Sequence, residues 1–99
     1  MQGVDMVDDG NFVAVFQSIH RVMKAEKILK GKGLPVLLIP APRALSSDCG
    51  LALRYAAADR PAVESELAAA ELLPVDIYLK RDGKYEAVTR EPELSGGDR

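Results

Sequence analysis

The sequence predicts an α+β domain of the ferredoxin-like kind: β-α-β-β-α-β, a four-stranded antiparallel sheet with two helices on one face, and a short fifth strand at one edge. Three observations lead there. Apolar runs of strand length alternate, in that order, with two stretches whose apolar residues recur at helical spacing. Each helical stretch opens at a capping residue and closes at a glycine or a proline. Near the end, Asp82-Gly83 between two alternating runs is a hairpin signal.

Residues 1–10 are acidic and carry no period, and they read as a mobile leader ahead of the domain. Residues 11–17 (NFVAVFQ) are β-rich and apolar on both faces, as a central strand should be. Ser18 is a natural N-cap for the helix that follows. Over residues 19–30 the positions Ile19, Val22, Met23, Ile28 and Leu29, with Ala25 among them, define the buried stripe, and Arg21, Lys24, Lys27 and Lys30 point outward. Gly31-Lys32-Gly33 supplies a glycine to end it. Residues 34–39 (LPVLLI) form a second strand.

Residues 50–56 form a third strand, with Leu51, Leu53 and Tyr55 on one face and Ala52 and Arg54 on the other. Asp59 and Pro61 open a second helix as N-cap and first-turn proline. Val63, Leu67, Ala70, Leu72 and Leu73 mark its buried side and Pro74 stops it. Residues 75–80 (VDIYLK) alternate as a fourth strand, and residues 85–88 return as a fifth. The single domain spans residues 11–90, and residues 91–99 are a polar tail without order.

At 99 residues the chain holds one domain, and 47% hydrophobic content suffices for a packed core. A net charge of −2 argues against a dedicated nucleic-acid binder. No apolar run reaches membrane-spanning length, and the first ten residues lack a basic-then-apolar signal. One cysteine cannot build a disulfide framework, so a reduced, cytoplasmic protein is expected. One cysteine and one histidine cannot fill a tetrahedral metal site, and no glycine-rich phosphate motif is present; no metal or cofactor is expected.

The chemistry gathers in residues 40–54 (PAPRALSSDCGLALR), which hold that cysteine, Cys49. Pro40 and Pro42 stiffen the approach, Ser46, Ser47 and Asp48 form a turn, and Gly50 permits a backbone conformation closed to other residues. A thiol is thus presented at the tip of a tight connection. In the expected topology the first two strands run in the same direction, so the loops after both lie at one end of the sheet. Ser18, His20 and the N-terminus of the first helix would then stand near Cys49. A thiol is a useful nucleophile only as thiolate, and its free pKa of about 8.5 falls beside positive groups. Arg43, His20, Arg54 and the helix amides are the candidates, with Asp48 acting in the opposite sense. Ser46 and Ser47 first satisfy local backbone and only secondarily cradle an anion.

Pro42-Arg43, Ser46-Ser47 and Cys49-Gly50-Leu51-Ala52-Leu53-Arg54 together resemble the signature of the selenium/sulfur carrier-like family of small single-domain proteins. The likeness extends upstream through Phe16, Ser18, Ala25-Glu26-Lys27 and Pro35 to Pro40, covers about two-thirds of the chain, and thins out after Leu73. It implies a cysteine that carries sulfur or selenium. On that reading Cys49 accepts a persulfide-type adduct from a donor enzyme and passes it to an acceptor protein. Arg43, Ser46, Ser47, Gly50, Ser18 and His20 surround the anion. The alternative is a non-catalytic dimeric binding or regulatory module that holds a small anionic ligand at the 40–50 loop, the open face of its sheet covered by a second copy. An independent enzyme is the weakest reading, since the chain has one nucleophile and no clear base.

Overall fold

A computed structural model of the chain describes residues 6–45 and 50–88. The elements are β1 (Asn11–Val15), α1 (Ile19–Gly31), β2 (Leu37–Pro40), β3 (Leu51–Ala56), α2 (Arg60–Ala69), β4 (Asp76–Arg81) and β5 (Lys84–Val88), with a 3₁₀ turn (Ala57–Asp59) before α2. The five strands form one sheet in the order β2-β3-β1-β4-β5, and every neighbouring pair is antiparallel. β1 is central, as its two apolar faces require: Phe12, Ala14 and Phe16 face one side, Val13 and Val15 the other, all buried.

Both helices pack on one of these sides. Val22, Ala25 and Leu29 of α1 and Val63 and Leu67 of α2 join Phe12, Phe16, Leu53, Tyr55 and Ile77 in the larger core. The alternation expected of β3 holds, with Leu51, Leu53 and Tyr55 toward the helices and Ala52 in the smaller core on the opposite face. Asp82 and Gly83 take φ of 53° and 77°, the left-handed pair that a tight β4–β5 hairpin needs.

Helix ends differ in detail from the sequence reading. α1 ends in a Schellman motif: Gly33 (φ 79°) donates to Lys30 O and Leu34 donates to Leu29 O. α2 ends the same way but without glycine. Glu71 takes φ 60°, Glu71 N donates to Ala68 O, and Leu72 N donates to Leu67 O. The helix therefore stops at Ala69, well before Pro74, and Leu73 turns outward instead of joining the core. Ile19 and Met23, expected in the buried stripe of α1, are 45% and 50% exposed. The stripe is narrower than the apolar pattern: Val22, Ala25 and Leu29 are buried over the sheet, with Ile28 partly so.

The helix-free face was expected to be open. It carries two of the chain's own segments. Residues 6–10, read as part of a mobile leader, run across it: Val7 is 2% exposed and packs in the smaller core with Val13, Val15, Ile39, Leu45 and Ala52. Arg54 donates to Met6 O (2.8 Å) and Lys80 to Val7 O (2.8 Å), while the Asp9 carboxylate accepts from Asp82 N and Gly83 N at the hairpin. Residues 41–45 also pack on it, through Ala41 and Leu45. Residues 1–5 and the tail expected at 91–99 lie outside the described residues.

Candidate functional site

Strand register decides what meets at the end of the sheet where β1 and β2 finish. Val15 pairs with Ala52, and Pro40 pairs with Leu51, so both strands end beside the start of β3. The 40–50 loop and the start of α1 therefore share one rim, as expected from connectivity. Ala41 N donates to Gly50 O (2.9 Å), which closes the stem of the loop. Leu45 N donates to Pro42 O (2.9 Å), making residues 42–45 a β-turn with Arg43 exposed at its second position. Gly50 takes φ 74°, a conformation that strains any residue with a Cβ, so its glycine serves the backbone. Ser46, Ser47 and Cys49, with Asp48, lie outside the described residues.

Ser18 caps α1: its hydroxyl accepts from Arg21 N at 3.2 Å. His20, in the first turn, is exposed. These two sit on the helical side of the sheet, whereas Ala41 and Leu45 pack on the opposite side. The described part of the loop thus shares an end of the sheet with Ser18 and His20, but not a face.

On the helix-free face the loop forms one wall of a groove of about 610 Å³. Pro40, Pro42, Arg43 and Leu45 line that wall, the hairpin supplies Tyr78, Lys84 and Tyr85 opposite, and Met6 stands at one side.

A family model described as "Putative Se/S carrier protein-like" matches residues 11–79, more than half of the chain and all of the strands that set the loop. The chain belongs to this family. No curated protein and no solved structure matches it.

For this member of the Se/S carrier-like family, sequence reasoning missed two features. One is the groove. Its signal was present, because alternation in β4 puts Tyr78 and Lys80 on the face opposite Ile77, and hairpin register sets Tyr85 against Lys80. The other is a buried polar triad behind the core. Glu64 is 7% exposed and accepts from Arg60 Nε at 2.7 Å and from the Tyr55 hydroxyl at 3.3 Å. Arg60 also lies over the Phe12 ring, 4.6 Å from its centre. Burial, reinforced by the Glu64 carboxylate, pushes the Tyr55 hydroxyl far above the usual tyrosine range. The triad lies at the other end of β3 from the loop, beside the start of α2, which fits a structural role. Among the described residues no three His, Cys, Asp or Glu side chains gather as a metal site, and no helix is long and apolar enough to cross a membrane.

Proposed function

We propose that this chain is a small carrier in which Cys49 holds a sulfur or selenium atom between two partner proteins. The observation that carries the reading is the family match across residues 11–79, which spans the loop bearing the chain's one cysteine. The closed stem, Ala41 N to Gly50 O, supports it by fixing where that loop leaves the sheet. We also read the strand order as the ferredoxin-like arrangement with a fifth strand added beyond β4.

The step is an exchange without net oxidation. The Cys49 thiolate attacks the outer sulfur of a donor enzyme's persulfide. A new S–S bond forms at Cys49, the donor's S–S bond breaks, and the donor leaves as its thiolate. The acceptor protein's thiolate then attacks that outer sulfur, and Cys49 is released as thiolate. Reduced thiols on all three proteins are needed, which suits the cytoplasm. The chain has no second cysteine to resolve the adduct, so delivery requires the partner. Arg43, near the start of the loop, is the cation that would steady the thiolate, and Ser18, by capping α1, holds the helix N-terminus and His20 at the same end of the sheet.

Incubation with a cysteine desulfurase and cysteine, followed by mass spectrometry, tests the proposal. One added sulfur on the intact chain, removed by reductant and absent in Cys49→Ser, is expected. Equal masses for the wild type and Cys49→Ser would overturn it.

A further inference from the structure

The groove on the helix-free face is larger than the carrier chemistry needs, which draws on it only through Arg43. Its volume, about 610 Å³, falls within the range of pockets that bury small molecules. Its body is apolar and aromatic: Pro40, Pro42 and Leu45 on the loop wall face Tyr78 and Tyr85 on the hairpin wall. Among the described lining residues it has one cation on each wall, Arg43 from the loop and Lys84 from the hairpin, and none that is acidic. Neither cation forms an ion pair among the described residues. Lys80, a further cation on this face, is bonded to Val7 O and lies 5.5 Å from the centre of the Tyr85 ring.

Each of these features selects against some ligands. A free inorganic anion would leave the apolar walls wet. A neutral apolar molecule would leave two cations without a counter-charge. We propose that the groove binds a small organic acid, with an aromatic or otherwise flat apolar body between the tyrosines and prolines and a carboxylate or sulfonate reached by Arg43 and Lys84. Tyrosine faces and proline rings pack flat apolar groups well, and a guanidinium can hold an acidic group with two parallel hydrogen bonds. The site does not depend on the carrier reading, although the loop that bears Cys49 forms one of its walls.

Fluorescence titration with 8-anilinonaphthalene-1-sulfonate tests this, with the uncharged N-phenyl-1-naphthylamine as the matched neutral probe. The expected result is one saturable site per chain for the sulfonate. Replacing both cations, Arg43→Gln with Lys84→Gln, should weaken it by about tenfold or more, the equivalent of one lost charge-assisted contact. Tyr85→Ala should weaken both probes. Circular dichroism melts show whether each variant is folded, and Lys24→Gln with Lys27→Gln on α1 should leave binding as in the wild type. Cys49→Ser should also bind as the wild type, so a failure of sulfur loading leaves this result standing. Three outcomes would each overturn the proposal: no saturation, equal affinity for the two probes, or a double cation variant that binds like the wild type.

Discussion

At the scale of single residues the Tyr55 hydroxyl is held tightly inside the core. It is buried at 1% exposure, donates to Glu64, and would have to ionise next to a carboxylate. Its pKa is therefore raised, first by burial and then by the Glu64 charge. The sign of the linkage follows. In the unfolded chain a tyrosine releases its proton near pH 10, while the folded chain holds it, so folding stability is intact below about pH 10 and falls above it. Tyr55→Phe removes that group. Urea unfolding at several pH values should show the wild type losing stability between about pH 10 and 11 relative to Tyr55→Phe. At neutral pH the variant should differ by only about 1 kcal/mol, the net worth of one hydrogen bond. Parallel curves for the two proteins through the alkaline range would show that Tyr55 does not titrate as an interior group.

At the scale of elements, Ser18 shows how local sequence places the rim. Its hydroxyl holds the first turn of α1 through Arg21 N, and α1 starts at the end of the sheet where the 40–50 loop begins. Ser18→Ala should cost about 1 kcal/mol, measured as a lower urea midpoint with an unchanged slope. An unchanged midpoint would mean that packing of Val22, Ala25 and Leu29 alone fixes the helix start. The strands and this cap were legible because each depends on neighbours in sequence: alternation in β3, the Asp82-Gly83 pair, a serine before an apolar stripe. Three things were not legible, each for a physical reason. Val7 is buried in part by residues far from it in the chain, Ile39, Leu45 and Ala52, and the acidic stretch that holds it has no period to reveal that. Leu73 is exposed because α2 ends through Glu71 at positive φ, a conformation that composition does not announce. Arg43 and His20 share an end of the sheet but flank opposite faces, since connectivity fixes the rim and only packing decides which way a loop folds over it.

At the scale of the whole molecule, a sheet with helices on one side must protect its other side, and this chain does so with residues 6–10 and 41–45. Residues 6–10 bury Val7, give Arg54 and Lys80 carbonyl acceptors, and cap the β4–β5 hairpin through Asp9. They also bring Met6 to the side of the groove. Removing residues 1–10 takes away all four contributions at once. Burial of one valine is worth about 1.5–3 kcal/mol, and each bond to a charged group adds about 1.5 kcal/mol or more. The ordering entropy of the lost segment offsets part of this, leaving a net loss of about 2–4 kcal/mol. For a domain of this size that is a large fraction of total stability, and the urea midpoint should fall by about 1–3 M. Val7→Asp, which keeps the length but replaces the apolar contact with a carboxylate that cannot stay buried, should reproduce most of the fall. Both variants should also uncover Val13, Val15 and Ala52 and bind apolar dye in proportion. If the shortened chain unfolds at the wild-type midpoint, residues 6–10 lie on the sheet without stabilising it.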